Sequence, residues 1–332
     1  MTMVAKVLFF TTMLMTAAAY PQNYGEVDQK VKSYPHFNSL TALGYRIQND
    51  FIEDSLKVRA AFIWLTHNMK YGKLKEAELE GTHKITFDSE TDRLSKIRHL
   101  VNVKITRSFN ARKGVCIDYS LMLHELCRQF GIPSKVIAGV AKTEIKDIRG
   151  DQIFKNHSWN AVQIRGQWKL MDPTWASGHF DLERGQFERQ LLEHYFFTEP
   201  SEFVKHHLPS NPIWQLLDQP LDARSFYAAP IYFPDYFDKG IELSTKTLGI
   251  LYASNGEANY IYFDKLPRIH AMQYSFNGSS ELKKMGFKKI DNKSYRSRIR
   301  LNRSLKKNHN FLTVYMEDQP ILNFKIENDR NN

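Results

Sequence analysis

The apolar positions of the first 220 residues switch between helical and strand spacing. Phe51, Leu56, Ala60, Ile63 and Trp64 recur at helical intervals and predict a helix over 50–70. Residues 72–90 are polar and charged and read as a loop. A second helix follows, with Leu94, Ile97, Leu100 or Val101, Ile105 and Phe109 on one face, ending near Arg112-Lys113-Gly114. A third runs from Cys116 to Phe130, because Cys116, Ser120, Leu123, Cys127 and Phe130 step by four, three, four and three. Gly131 sits where a helix stop belongs and Pro133 follows it. The run Lys135–Val140 is a predicted strand, and 143–156 is loop-like. His157–Ile164 and Trp168–Asp172 form a predicted hairpin around Arg165-Gly166.

Beyond the hairpin Pro173, Gly178, Pro200, Pro209, Pro212 and Pro220 punctuate an irregular stretch. From about residue 222 short alternating runs take over, at 229–233, 260–263, 271–276, 295–301 and 311–324. They predict a separate β-sandwich of immunoglobulin-like type. A chain of 332 residues accommodates two such domains, here 20–221 and 222–332.

Composition narrows the picture. Hydrophobic residues make up 42% and charged residues 25%, the balance of a globular protein. The net charge of +10 points to anionic surroundings such as a cell-surface polymer. No nucleic-acid-binding motif accompanies it. Residues 1–19 have one early lysine, the apolar run Val7–Met15 and small residues up to Ala19. That is the layout of a cleavable signal peptide cut after Ala19, which predicts a secreted or periplasmic protein. The run is too short for a membrane helix, and no later run is longer, so no integral membrane segment is expected.

Export makes the cysteines informative. Cys116 and Cys127 lie eleven residues apart on one predicted helix. Their separation of roughly 16 Å along the axis is far beyond disulfide reach. Two unpaired thiols in an oxidising compartment ask for a reason, and catalysis is one. Cys116 opens its helix, where unpaired backbone N–H groups and the positive end of the helix dipole favour a thiolate and could hold an oxyanion. Gly114 removes side-chain bulk beside it. The hairpin offers a base. With Arg165-Gly166 as the loop, Ile164 pairs with Gln167 and His157 falls opposite Thr174. Asp172 is then the diagonal neighbour of His157 on the same face. A slip of one residue would separate the two. Cys116, His157 and Asp172 are thus the candidate nucleophile, base and orienting carboxylate. Singly, each also has a structural reading: a small core thiol, a satisfied strand histidine, a turn-opening aspartate.

The stretch KGVCIDYSLMLHELCRQFGIPSKVIAG, followed by HSWNAVQIRGQWKLMDPTW, resembles the core of the transglutaminase-like superfamily. The resemblance implies an α+β fold: a papain-like core with helices packed on an antiparallel sheet, ahead of the β-sandwich. It places the family's catalytic Cys, His and Asp at Cys116, His157 and Asp172. KVRAAFIWLTHNMKYG upstream and EHYFFTEPSEFVKHHLPSNPIWQLL downstream are similar to segments of the kyphoscoliosis-peptidase-type subgroup. The implied activity is thioacyl chemistry on amide bonds of a protein or peptide substrate. Hydrolysis is preferred because water is always present, whereas transglutaminase-type cross-linking needs an amine site. No metal ion or organic cofactor is required. The rival reading is a non-catalytic cell-surface scaffold with this fold.

Three further features are weighed. His194 and His206-His207 invite a metal site, but no Cys or carboxylate stands at ligand spacing, and the resemblance to the subgroup, whose members carry a His-x-Pro where His207 stands, implies a structural role for it. Residues 283–307 hold eleven lysines and arginines against Asp291. Arg296, Arg298 and Arg300 share one strand face, which reads first as a solvated edge and second as an anionic-glycan or lipid-headgroup anchor. Asn156, Asn277, Asn292 and Asn302 begin N-x-Ser sequons.

Overall fold

The computed structural model describes residues 24–74, 86–149, 156–181, 186–253, 258–267, 272–301 and 311–328. The expected signal peptide, Asn302 and the basic residues Arg303, Lys306 and Lys307 lie outside the described residues.

Three helices open the structure: α1 (Gly25–Lys32), α2 (Leu40–Asp50) and α3 (Asp54–Asn68). The pattern over 50–70 predicted one helix, and the start was misplaced. Asp50 ends α2, Phe51 turns extended, and α3 begins only at Asp54. Phe51 is buried as the cap residue of α2 rather than as a member of α3. Ser39 caps α2 by accepting the Ala42 N–H at 3.1 Å. Every residue of α3 from Val58 to Thr66 is buried, so it is a core helix with no polar face to read.

Helix α4 (Glu90–Ala111) departs from expectation in its contacts. Ile105 and Phe109 are buried, but Leu94 and Leu100 are 50% and 41% exposed. Its first half extends beyond the core. Helix α5 (Cys116–Phe130) follows the predicted stripe: Ser120, Leu123, Cys127 and Phe130 are buried, and Gly131 terminates it in the left-handed region at φ 75°.

Two short strands, β1 (Lys70–Tyr71) and β2 (Lys113–Gly114), pair in parallel just ahead of α5. The central antiparallel sheet has the order β5-β4-β3-β8. Its members are β3 (Ser134–Ala141), β4 (His157–Ile164), β5 (Gln167–Met171) and β8 (His207–Pro209). Between β5 and β8 run the hairpin β6 (Gly178–Asp181) with β7 (Gln186–Arg189) and the short helix α6 (Pro200–Phe203). Arg165 and Gly166 join β4 to β5 with φ of 50° and 79°, the two left-handed residues of a tight hairpin turn. The register runs from Ile164↔Gln167 to Asn160↔Met171, as the two-residue loop requires.

The C-terminal region starts with α7 (Ala223–Ala228), β9 (Ile231–Tyr232) and α8 (Asp235–Asp238). One sheet has the order β10-β12-β16-β15: β10 (Glu242–Leu243), β12 (Asn259–Lys265), β16 (Tyr295–Ile299) and β15 (Phe287–Lys289). The other has the order β11-β18-β17-β13-β14, with β9 beside β18. Its strands are β11 (Ile250–Ala253), β13 (Met272–Phe276), β14 (Lys283–Lys284), β17 (Phe311–Met316) and β18 (Gln319–Asn328). Ile261, Phe263 and Ile299 from the first sheet share a core with Met272, Leu312, Val314 and Phe324 from the second. This is a β-sandwich behind an α+β core. The run 311–324, expected as one strand, is two strands folded at Glu317-Asp318, both left-handed at φ 52° and 62°. On β16 Ser297 and Ile299 are buried and Arg298 is exposed, the alternation the sequence predicted. Arg296 lies over the Tyr260 ring at 4.8 Å. Among the described residues no helix is long and apolar enough to cross a membrane.

Candidate active site

Cys116 is the first residue of α5, half-buried and unpaired. Val115 approaches in extended conformation, and its N–H donates to the Asp118 carboxylate at 2.8 Å. Asp118 is buried and paired with the Lys104 Nζ at 3.2 Å. Gly114 has a reason the sequence reading did not find. A Cβ there would lie 2.7 Å from the Asp118 Cβ, so the glycine makes room for the carboxylate that caps α5. The first-turn N–H groups of a helix have no partner within it, and Cys116 sits among them.

His157 opens β4 and Asp172 follows β5, and the hairpin register sets them on one face. His157 Nε2 is 2.6 Å from Asp172 Oδ2. The other ring nitrogen, Nδ1, is the one left to serve Cys116. Burial presses the His157 pKa down, but the Asp172 charge and hydrogen bond, reinforced by the neighbouring Cys116, outweigh it and raise it to about 9. Asp172 is fully buried. Its Oδ1 accepts the N–H groups of Thr174 at 2.8 Å and Trp175 at 3.1 Å, while Oδ2 also faces His207 Nε2 at 3.0 Å. Burial alone would raise its pKa; the two imidazoles hold it well below the usual carboxylate range.

The structure thus brings together the three residues named from the sequence, and it adds two. Tyr71 reaches the site through the β1–β2 pairing, which sets it beside Gly114. Burial raises the Tyr71 phenol pKa, and the charges of Cys116 and Asp172 add to the effect. His207 is the second imidazole on Asp172. The sequence reading lacked an acid near His206-His207, and the fold supplies it from a residue 35 positions away.

His157, Asp172 and His207 also form the group of metal-ligand type among the described residues, with their ligand atoms within 4.8 Å of one another. Both histidine nitrogens stand at hydrogen-bond distance from the same Asp172 oxygen, a geometry in which N–H protons fill the space between them. Beside His157 opens a cavity of about 600 Å³. Tyr71, Trp175, Phe187 and Tyr195 wall one side, and Tyr232 and Phe233 of the C-terminal region wall the other. The cavity is a largely aromatic cleft with His157 in its wall.

A family model described as the transglutaminase-like superfamily core matches residues 44–173. Kyphoscoliosis peptidase of Mus musculus is 26% identical over 293 residues, covering 82% of this chain and 41% of its own length. The Homo sapiens protein of that name is 28% identical over 243 residues, covering 71% of this chain and 33% of its own. The chain therefore spans less than half the length of these relatives. A solved structure of a TGase, 14% identical, aligns over 55% of this chain and 40% of its own with a TM-score of 0.27, a likeness that carries no chemistry.

Proposed function

We propose, from the premise that residues 44–173 belong to the transglutaminase-like superfamily, that this chain is a cysteine enzyme that cleaves amide bonds through a thioester on Cys116. The observation that supports it most is the buried contact of His157 Nε2 with Asp172 Oδ2 at 2.6 Å, which leaves Nδ1 of a strongly basic imidazole for the thiol.

His157, raised to about 9, already holds the Cys116 proton on Nδ1 near neutral pH, and the Cys116 sulfur attacks the amide carbonyl carbon. The carbonyl oxygen takes the negative charge and is held by first-turn N–H groups of α5. The C–N bond then breaks, and His157 returns the proton to the leaving amine. His157 Nδ1 next takes a proton from water. The resulting hydroxide adds to the thioester, the C–S bond breaks, and His157 returns its proton to the Cys116 sulfur as the carboxylic acid leaves. Asp172 keeps the Nε2–H tautomer of His157 throughout. A protein or peptide is the substrate class that fits an open aromatic cleft lined by His157. Export of the chain is part of the same reading and rests on the pattern of residues 1–19; the N-terminal sequence of protein recovered from outside the cell tests it.

The deciding experiment joins turnover to alkylation. Cys116→Ala should abolish amide cleavage, and His157→Ala should lower it about a hundredfold or more. Iodoacetamide should label Cys116 in the wild type and label it far more slowly in His157→Ala. A biological effect that survives Cys116→Ala undiminished would instead establish the scaffold reading.

A further inference from the structure

The second imidazole on Asp172 is the inner end of a buried file. His207 Nδ1 lies 2.5 Å from His206 Nδ1. His206 Nε2 lies 3.0 Å from His194 Nε2. His194 Nδ1 is 3.9 Å from the carboxylate of Glu202, whose side chain is 40% exposed. His206 and His207 are buried, and the His194 side chain is 5% exposed.

Proton counting fixes the direction of this file. A carboxylate only accepts, so His207 Nε2 carries a hydrogen. A neutral imidazole has a single N–H, so His207 Nδ1 accepts and His206 Nδ1 must donate to it. His206 Nε2 then accepts, and His194 Nε2 donates. His194 Nδ1 is left as a lone pair at the outer end. The surroundings favour the neutral forms. Phe203 stacks on His207 at 4.3 Å, and Trp175 and Trp159 close on it at 4.4 and 4.9 Å. Tyr195 meets His206 at 5.3 Å. Phe237, from α8 in the C-terminal region, stacks on His194 at 4.0 Å. The titratable groups facing the file are Asp172 and His157 inside, Glu202 outside, and Lys142 and Lys205; burial first, then the neighbouring imidazoles and these lysines, hold His206 well below its ordinary value. Burial presses His194 and His207 down to about 4.

We propose that His207, His206 and His194 are positioning residues, a file of imidazoles whose N–H groups all point inward and hold the Asp172 carboxylate in the orientation that serves His157. The inference rests on the catalytic reading of Cys116, His157 and Asp172. The file holds Oδ2 alongside His157, as the Thr174 and Trp175 N–H groups hold Oδ1. Each ring sets the tautomer of the next, so the hydrogen on His207 is secured by two residues that touch neither substrate nor triad.

Histidine ¹⁵N NMR of the intact chain tests this directly. The expected pattern is Nε2–H at His207, Nδ1–H at His206 and Nε2–H at His194, all neutral between about pH 6 and 8. The opposite tautomer at His206 or His207 overturns the file. Two variants test the positioning role. His207→Leu has no donor and should lower kcat about tenfold to a hundredfold with KM little changed, and slow Cys116 alkylation in parallel. His207→Gln can donate to Asp172 and should recover most of both. Wild-type alkylation and kcat in a folded His207→Leu protein overturn the role. If that variant does not fold, the wild-type tautomers and His206→Leu decide in its place. The two readings fail separately. Inward tautomers with an active Cys116→Ala protein sink the enzyme and leave the file; reversed tautomers with a dead Cys116→Ala protein sink the file and leave the enzyme.

Discussion

Arg59 shows how far single side chains hold the frame around the site. Its guanidinium, 2% exposed, grips Asp28 through Nε at 2.9 Å and Nη2 at 2.6 Å. The same group grips Glu193 through Nη1 at 2.7 Å and Nη2 at 2.6 Å. Glu193 adjoins His194, so one buried cation ties α1 and α3 to the segment that carries the outer imidazole. Arg59→Met would strand Asp28 beside a buried apolar chain, and we expect a loss on the order of 3 kcal/mol in urea unfolding. A change within about 0.5 kcal/mol would show the pair to be idle. At this scale the sequence disclosed what is local. Cys116 announces itself by opening a helix, and His157 and Asp172 by bracketing a two-residue turn whose register puts them on one face. Tyr71 and His207 stay hidden, because nothing near them in sequence hints at Gly114 or Asp172. Only strand pairing brings them in.

Among the elements, β8 decides whether the imidazole file exists. It joins the sheet as partner of β3, pairing Ala141 with His207 and Gly139 with Pro209. Gly139 makes the approach possible: a Cβ there would lie 2.2 Å from the Leu208 carbonyl oxygen and 2.5 Å from the Trp159 ring. The atom in the way is backbone, so it cannot swing aside. Gly139→Ala should push β8 off the sheet, disturb the His207–Asp172 contact and lower the thermal midpoint by several degrees, about 2 kcal/mol in stability. Proton NMR of His207 reads the displacement, and an unshifted ring with an unchanged midpoint would refute it. A glycine inside a β-branched run is a legible sign of close backbone approach, though it does not say which strand approaches. Periodicity found both α3 and α4 and missed two details: the break at Phe51 that starts α3 only at Asp54, and the exposure of Leu94 and Leu100 on the outer half of α4. The turn at Glu317-Asp318 lacks glycine or asparagine, so the fold of 311–328 into two strands left no turn signal.

For the whole molecule, the buried histidines set opposite slopes of stability against pH. His194 and His207 have folded values near 4, below their ordinary 6.5, so the unfolded chain binds protons the native one refuses. Their stabilisation is complete above about pH 6.5 and drains away toward about pH 4, each on the order of 3 kcal/mol. His157 is raised to about 9, so its contribution is complete below about pH 6.5 and is lost as pH climbs through 9. The thermal midpoint should therefore peak near neutrality and fall on both sides. A flat midpoint from about pH 4.5 to 7 would contradict the neutral burial of His194 and His207. The C-terminal region takes part in this balance, because Phe237 covers His194 and Lys142 binds the Phe226 and Ala229 carbonyls at 2.7 and 2.8 Å. The sandwich was legible from the short alternating runs of the C-terminal region, and the α+β core from the family resemblance. The contacts between them were not, since they join single residues far apart in the chain.

Cys127 lies on the buried face of α5, wholly inside the core, and burial lifts its thiol to about 12. Toward any electrophile dissolved in water, a protein with two cysteines therefore behaves as a protein with one. A maleimide dye or nitroxide would attach at a single address, the thiol beside His157, with no residue engineered away.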